Sequence, residues 1–267
     1  MIVDITYKCS MGCSHCMSDC KPDGQHMTLA TFDKVIDFLK RYNYADHIIL
    51  SGGEIFEHPH IDKILISASC HFQYITLITN GDILSTDRNL YNLVDEIKRK
   101  RPKGSLTIQV TTDAKFYPKV LTQKQLYRLN KLGAYIYKVP SLGGQQLYPQ
   151  GRALINHKNA NWLTSAPKCV NSRLLVNQGY TSFKSIIKTL ISMKKLCSPI
   201  IAPDGSIKLG ESALCPACAH IDDDNDTIIE KIKNFKCYQC SIPISILKQS
   251  YPVAYKIFIG GDENERD

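Results

Sequence analysis

The chain has 267 residues, a hydrophobic fraction of 43%, a charged fraction of 22% and a formal net charge of +8. This composition is typical of a globular protein and excludes a disordered chain, and no apolar run approaches the ~20 residues that cross a bilayer. Eleven cysteines accompany an N-terminus without a basic and apolar leader. We therefore expect a cytoplasmic protein that uses cysteine for metal or redox chemistry rather than for disulfide bonds.

Strands and helices alternate through the first two thirds of the chain. Short apolar runs predict strands, and apolar residues at helical spacing predict the helices between them. The predicted strands are 2–6, 48–51, 74–79, 106–112 and 134–139. Helices are predicted from about residues 28, 61, 90 and 123 onwards. A sixth strand is expected at 174–176, followed by an amphipathic helix over 183–193.

Repeated strand–helix units predict a parallel sheet covered by helices, and right-handed crossovers curve such a sheet towards a barrel. The predicted fold class is α/β, with a partial (β/α)6 barrel of the TIM type over residues 1–195. A small C-terminal domain, made of a hairpin and a helix, is expected over 196–267. Residues that directly follow the strands should gather at the carboxyl rim, where such barrels place their chemistry.

Three cysteines follow the first predicted strand at once. Cys9, Cys13 and Cys16 have the spacing Cys-x3-Cys-x2-Cys, and residues 9–16 are called the cysteine loop below. Three thiolates on one tight loop can hold three irons of a four-iron cluster, which leaves the fourth iron without a protein ligand. An open metal position is what a catalytic site keeps and a structural site closes.

A second motif, Gly52-Gly53-Glu54, lies at the end of the second predicted strand. The glycine pair lets the backbone approach a ligand closely, and the glutamate can pair with an ammonium group. Together the two motifs resemble the radical S-adenosylmethionine (SAM) enzymes. The resemblance implies that the cysteine loop binds a [4Fe–4S] cluster and that Gly52, Gly53 and Glu54 bind the amino group of SAM.

The same resemblance places His15 near the adenine of SAM, although a solvent-facing loop histidine fits the sequence equally well. Asn80, Thr111 and Asp113, at the ends of the third and fourth strands, are expected to meet the ribose or the methionine carboxylate. Cys20 is expected to be a neighbour of the cluster and not a ligand. Beyond these cofactor sites the sequence singles out no catalytic side chain.

The C-terminal cysteines suggest a second cluster. Cys197-x12-Gly210-x4-Cys215, followed by Cys237-x2-Cys240, resembles the twitch extension of radical SAM enzymes, a shorter relative of the SPASM extension. The auxiliary [4Fe–4S] cluster implied by this resemblance has the following ligands: Cys197, Cys215, Cys237 and Cys240. Cys218 leaves an alternative open, because two Cys-x2-Cys pairs also match a four-cysteine zinc site. Gly151-Arg152-Ala153 resembles a segment common among radical enzymes with extra clusters.

The resemblance implies reductive cleavage of SAM to a 5′-deoxyadenosyl radical, which abstracts hydrogen from a substrate. A peptide or small protein is the favoured substrate, modified by crosslinking, thioether formation, epimerisation or oxidation. The alternatives are dehydrogenation of an alcohol on a sugar-like molecule, RNA modification through the basic run Lys98–Lys103, and a non-catalytic metal-binding module. Expected partners are the substrate, an external electron donor of the flavodoxin or ferredoxin type, and a separate leader-peptide-binding protein. No membrane partner is expected, and nucleic acid is not the favoured partner.

Overall fold

The computed structural model describes residues 1–42, 46–137, 146–147, 150–157, 161–162, 168–192 and 199–235, with five isolated positions after residue 247. Within these ranges no helix combines the length and the apolar character that a membrane span requires. Three of the four cysteines assigned to the second cluster lie outside the described residues: Cys197, Cys237 and Cys240.

The elements alternate much as the periodicity predicts. The described strands are β1 (Ile2–Thr6), β2 (His47–Gly52), β3 (Tyr74–Thr79), β4 (Leu106–Thr111), β5 (Tyr135–Tyr137), β6 (Gln146–Leu147), β7 (Asn161–Trp162), β8 (Ile200–Ile201), β9 (Ser206–Lys208) and β10 (Ala217–His220). The described helices are α1 (Leu29–Arg41), α2 (Ile61–His71), α3 (Asp82–Thr86), α4 (Arg88–Lys100), α5 (Gln123–Lys131), α6 (Gly151–Asn156), α7 (Lys168–Asn177), α8 (Phe183–Ser192) and α9 (Asn225–Asn234). A short 3-10 turn, Ile55–Glu57, follows β2.

Eight of these strands form one sheet in the order β10-β9-β8-β1-β2-β3-β4-β5. Strands β1 to β5 and β8 run parallel, whereas β9 and β10 are antiparallel to their neighbours. The described strands do not close into a full barrel, and helices cover the sheet. This confirms the predicted α/β class with a partial barrel.

The predicted sixth strand at 174–176 is wrong, because these residues lie inside α7. Leu175 is buried, and its neighbours Leu174 and Val176 pack partly buried against the core. A three-residue apolar run cannot by itself distinguish a strand from a helix, and here tertiary packing selects the helix. The sixth parallel strand is instead β8, which pairs with the opposite side of β1 through the register Ile2↔Ile200.

The predicted C-terminal hairpin is confirmed in β8 and β9, which pair antiparallel around a turn at 203–205. Gly205 occupies this turn with a φ of +87°, a backbone conformation that favours glycine. Because β8 pairs with β1, the hairpin extends the main sheet. The division of the chain at residue 195 stays a prediction.

Successive side chains of β1 point alternately into the hydrophobic core and towards the opposite face of the sheet. Val3 and Ile5 are fully buried in the main hydrophobic core, together with Phe32 and Leu39 of α1. Each such side chain contributes roughly 1.5–3 kcal/mol by leaving water. Ile2, on the opposite face of the strand, lines a cavity at the sheet. The strand that anchors the core therefore also forms part of the cavity wall.

Candidate functional site

The cavity has a volume of about 380 Å³ and is bounded by the cysteine loop and the carboxyl ends of β2, β3 and β4. The following chemistry-bearing residues line it: Asp4, Cys9, Cys13, His15, Cys16, Cys20, Ser51, Thr79, Asn80, Thr111, Tyr117 and Glu211. Segments far apart in sequence meet here because parallel strands end at the same rim. The three cysteines singled out by their spacing thus share one cavity.

The cysteine loop is fixed at its N-terminal half by Glu57. The two carboxylate oxygens of Glu57 accept hydrogen bonds from the backbone N–H and the hydroxyl of Ser10, at 2.7 and 2.8 Å. The Cys9 N–H donates to the Lys21 carbonyl at 2.9 Å. Sequence reasoning missed Glu57, because its contact with Ser10 joins residues that are 47 positions apart in the chain.

Arg152 holds the other half of the loop from α6. Its Nε donates to the Cys13 carbonyl at 2.9 Å, and its Nη1 donates to the Cys20 carbonyl at 3.0 Å and to Asp19 Oδ1 at 2.9 Å. Its backbone N–H also donates to the Cys16 carbonyl at 2.9 Å. One arginine therefore satisfies three carbonyl groups of the loop and of the residues that directly follow it.

Gly151 allows this approach. Its φ is +56°, and a Cβ at this position would lie 2.6 Å from the Cys16 carbonyl oxygen. A larger residue would push α6 away from the cysteine loop. The Gly-Arg-Ala segment noted in the sequence thus has a physical role in this structure, which is to seat α6 on the cysteine loop.

Burial and hydrogen bonding shift the pKa values of the three thiols. Burial raises the pKa of Cys9 to about 11 and that of Cys13 to about 12. The pKa of Cys16 is instead lowered, chiefly by a hydrogen bond from the buried thiol of Cys20. Cys20 therefore contacts the candidate ligand Cys16 directly. Because metal ligation requires the thiolate, metal binding here must displace protons.

The glycine motif joins the end of β2 to the cysteine loop. A Cβ on Gly52 would lie 2.0 Å from the Thr6 carbonyl oxygen, and one on Gly53 would lie 2.1 Å from the Lys8 carbonyl oxygen. The Gly53 N–H donates to the Thr6 carbonyl at 2.7 Å. Both glycines also line the cavity. Their small size serves strand packing as well as the approach of a ligand.

Glu54 is buried, with 1% of its surface exposed, and lies behind the residues that line the cavity. Its Oε1 accepts hydrogen bonds from the Thr79 hydroxyl at 2.7 Å and the Phe56 N–H at 3.1 Å. Its Oε2 accepts from the Asn80 N–H at 2.8 Å. Burial outweighs these bonds and raises the pKa of Glu54 to about 7. Its role towards an ammonium group stays a prediction.

His15 lies against aromatic rings and not in solvent. Its ring centroid is 4.9 Å from that of Phe116 and 5.2 Å from that of Tyr117. Its Nδ1 is buried and has no hydrogen-bond partner among the described residues. Burial lowers the pKa of His15 to about 4, so the ring is neutral at neutral pH. A flat, neutral ring with one free polar atom suits an aromatic heterocycle as ligand.

The strand-end residues differ in placement. Asn80 and Thr111 line the cavity, and the Thr111 hydroxyl is hydrogen-bonded to that of Tyr117 at 2.9 Å. Asp113 does not line it; its carboxylate accepts a hydrogen bond from the Lys115 N–H at 2.9 Å. Sequence reasoning missed Tyr117, which carries no motif. Contact of Asn80, Thr111 or Asp113 with SAM stays a prediction.

The donor set of the cavity fits a [4Fe–4S] cluster with SAM. Three thiols of one loop face one cavity, the orphaned Nδ1 of His15 lies beside them, and the glycine backbone borders it. Within the described ranges, no three His, Cys, Asp or Glu side chains converge on a point that could hold a single metal ion. A cluster differs from a single ion because each thiolate binds a different iron, so its ligands lie further apart.

Cys215 and Cys218 have different surroundings. The Cys215 sulfur accepts a long hydrogen bond from the Gln150 side-chain amide at 3.8 Å and interacts electrostatically with Lys208 and Glu211. Cys218 is buried beside α9 and borders a separate pocket with Lys231. The set of ligands for an auxiliary cluster or a zinc ion stays a prediction, since the other cysteines lie outside the described residues.

The basic run Lys98–Lys103 is largely engaged in internal contacts. Arg101 donates to the carbonyls of Ser69, Phe72 and Gln73 at 2.5–2.7 Å, which caps the end of α2. Arg99 and Lys100 pair with acidic residues one turn earlier on α4. Lys98 donates to the Leu132 carbonyl at 2.7 Å. These contacts give the run a structural role and weaken the case for an RNA interface.

Comparison with known proteins agrees with this geometry. A curated relative, the "Antilisterial bacteriocin subtilosin biosynthesis protein AlbA" of Bacillus subtilis (strain 168), is 27% identical over 85 residues, which is 30% of this chain. The match spans 18% of that relative, so the chain aligns with less than a fifth of its length.

Two solved structures of BtrN have the same fold. One, in complex with AdoMet and 2-DOIA, has a TM-score of 0.54 at 12% identity and covers 92% of this chain and 88% of its own. The other, an open conformation, has a TM-score of 0.51 at 13% identity, with coverage of 98% and 91%.

The family model of the radical SAM superfamily matches residues 3–160, which is more than half of the chain and includes the cysteine loop, the glycine motif and Arg152. Enzymes of this family use a [4Fe–4S] cluster and SAM. The chain is therefore an enzyme of the radical SAM superfamily.

Proposed function

We propose that this enzyme abstracts a hydrogen atom from a peptide and so modifies an unactivated carbon, with Cys9, Cys13 and Cys16 as the ligands of the SAM-binding cluster. The observation that carries the proposal is the meeting of these three thiols with the ends of β2, β3 and β4 in one cavity. When bound, the cluster supplies the electron that breaks a carbon–sulfur bond of SAM and releases a 5′-deoxyadenosyl radical.

The residues of the chain bind and orient the cofactors in this proposal. Arg152 and Glu57 hold the cysteine loop from both sides, so the three thiols keep their spacing. Glu54 fixes the backbone of Asn80 and places a buried acidic group behind the rim, which favours the ammonium group of SAM. The neutral ring of His15 receives the adenine.

The cavity also protects the chemistry. Apolar side chains of Ile2, Ile78 and Leu147 line it, and Tyr117 is buried beside them. Such walls exclude water, and radical chemistry needs this protection because a reactive intermediate otherwise attacks the wrong partner.

A peptide is the favoured substrate because the curated relative is named for the biosynthesis of a bacteriocin, which is a peptide product. The second candidate is dehydrogenation of an alcohol on a sugar-like molecule. It is favoured by the nearly end-to-end correspondence in fold with BtrN, solved with AdoMet and 2-DOIA. That likeness concerns the fold, so the substrate must be found by experiment.

We also infer that Cys197, Cys215, Cys237 and Cys240 bind an auxiliary [4Fe–4S] cluster. Support comes from Cys215, which is half-buried near Gln150 of the segment that carries Arg152. Four thiolates would fill the protein coordination of that cluster, so its role would be to accept an electron from the substrate.

The test is anaerobic reconstitution, followed by incubation with SAM, dithionite and peptides encoded beside this gene. We expect 5′-deoxyadenosine together with a modified peptide. Oxidation or crosslinking removes two hydrogens from the peptide, and epimerisation in D2O incorporates solvent deuterium. Mass spectrometry reports each change. A parallel incubation with sugars that carry free hydroxyl groups covers the second candidate. If 5′-deoxyadenosine forms and the sugar but no peptide changes, the peptide assignment is wrong.

A further inference from the structure

Ser14 joins the cysteine loop to two other segments of the chain. Its backbone N–H donates a hydrogen bond to the Phe116 carbonyl, beyond the end of β4, at 2.9 Å. Its hydroxyl donates to the same carbonyl at 3.3 Å. The side-chain amide of Asn156, the last residue of α6, donates to the Ser14 carbonyl at 3.0 Å. The loop after β4 and the end of α6 therefore meet between two of the candidate cluster ligands.

His157 directly follows α6 and contacts the same serine. Its Nε2 lies at hydrogen-bond distance from the Ser14 hydroxyl, at 3.0 Å. A hydroxyl group has a single hydrogen, so Ser14 can bond to His157 and to the Phe116 carbonyl together when Nε2 is the donor. The His157 ring also packs edge-on against the Phe116 ring, with 5.2 Å between the centroids. His157 thus contacts Phe116 through its own ring and through Ser14.

Phe116 connects this contact to the cavity. Its side chain is buried in a small hydrophobic cluster that includes Cys13 and Tyr117. The centroid of the His15 ring lies 4.9 Å from that of Phe116. The His15 Nδ1 has no hydrogen-bond partner within the described part of the chain. The orientation of the His15 ring therefore depends on its packing against Phe116 and Tyr117.

We propose that His157 is a positioning residue for SAM. It holds Ser14 and Phe116 in place, and these two residues fix the ring of His15 in the orientation that receives the adenine. The proposal rests on the proposed function and deepens it, because it gives the end of α6 a part in recognising the nucleoside. His157 does not border the cavity, so it acts through its neighbours and not by contact with SAM.

The affinity for SAM, measured by equilibrium dialysis on the reconstituted enzyme, tests this assignment. His157→Ala removes one ring contact and one hydrogen bond, and we expect it to weaken SAM binding ~10-fold. The iron content should stay at the parent value, because Arg152 and Glu57 still hold the backbone of the cysteine loop. His157→Gln keeps an amide that can reach Ser14 and should restore part of the affinity.

A double-mutant cycle shows whether His157 acts through His15. In the His15→Ala background, His157→Ala should cause no further loss of affinity, because the ring that it positions is absent. The matched control is His71→Ala, since His71 is exposed on α2 and should not affect SAM binding. Additive losses in the double variant, or a parent-like affinity in His157→Ala or His15→Ala, would overturn the assignment.

NMR on the apo protein gives a readout that needs neither the cluster nor SAM. With 13C-labelled histidine, the His15 ring signal is identified by its loss in His15→Ala. This signal should shift in His157→Ala, because the packing of Phe116 against His15 changes. An unmoved signal would contradict the proposal.

Ser14→Ala keeps the experiment decisive if His157→Ala does not fold. This smaller change removes the same hydrogen bond and should weaken SAM binding ~3-fold, but only when His15 is present. Equal SAM affinity in Ser14→Ala and the parent would then refute the role of His157. If the reconstituted parent itself binds no SAM, the proposed function fails, which is a different result from unaltered variants of a parent that binds it.

Discussion

Replacing Arg152 with glutamine should loosen the cysteine loop before any metal is bound. The guanidinium group makes three hydrogen bonds, to the carbonyls of Cys13 and Cys20 and to the carboxylate of Asp19. Glutamine is shorter and neutral, and its single amide cannot reach all three acceptors. The backbone bond from residue 152 to the Cys16 carbonyl is retained, because it does not depend on the side chain.

The size of the effect follows from these contacts. A hydrogen bond with a charged partner contributes roughly 1.5–3 kcal/mol. The side chains of Arg152 and Asp19 are 22% and 30% exposed, so solvent screens part of their ion pair. We expect a net loss of about 3 kcal/mol in the free energy of opening the loop, which corresponds to ~100-fold faster local exchange.

Hydrogen exchange followed by mass spectrometry on the apo protein measures this directly. Peptides that contain residues 9–20 should exchange ~100-fold faster in Arg152→Gln, and Arg152→Lys should restore part of the protection. The matched control is Arg99→Gln, which removes an exposed ion pair on α4 and should leave the loop unchanged. If the loop of Arg152→Gln exchanges at the parent rate, Arg152 does not hold it.

Three further predictions use the apo protein or its reconstitution. Glu54→Gln should lower the free energy of unfolding in urea by ~1–3 kcal/mol, because its oxygens accept three hydrogen bonds and an amide nitrogen cannot accept one; unchanged stability would contradict this. Gly151→Ala should reduce the iron bound per chain, since its Cβ would meet the Cys16 carbonyl; full iron content would be contrary evidence. Asp4 and Glu54 should contribute stability to the apo protein that is full below about pH 4 and is lost as the pH rises, because burial raises their pKa values to about 8 and about 7. The difference in unfolding free energy between the parent and Asp4→Asn should therefore fall between pH 4 and 8 in urea titrations, and a constant difference would refute the assignment.

The repeating units of the fold were predictable because each is a local pattern. Thr28 caps α1 by accepting a hydrogen bond from the Thr31 N–H, and the apolar spacing that follows places Phe32 and Leu39 in the core. The sixth strand failed because its position depends on pairing between distant segments. The sequence around Ile200 contains no local signal that this residue pairs with Ile2 of β1.

The residues of the candidate site also fall into two groups. Some belong to a local sequence pattern, and the others are brought to the site only by the folded chain. Cys9, Cys13 and Cys16 could be singled out from the sequence because the three thiols lie close together on one loop. Arg152 was noticed as part of a motif, but its bonds to carbonyl groups 132 to 139 residues away depend on the folded chain. An acidic residue inside a buried strand is a detectable signal, and by it Asp4 could have been singled out. Its neighbour Glu211 carries no such signal.

The three thiols of the cysteine loop should support cleavage of SAM, and the rate of this cleavage tests their role directly. After anaerobic reconstitution, 5′-deoxyadenosine is quantified for the parent enzyme, for Cys13→Ala and for the exposed control Cys70→Ala. We expect Cys70→Ala to form 5′-deoxyadenosine at the parent rate and Cys13→Ala to form none above background. Cleavage of SAM by Cys13→Ala at the parent rate would contradict this role.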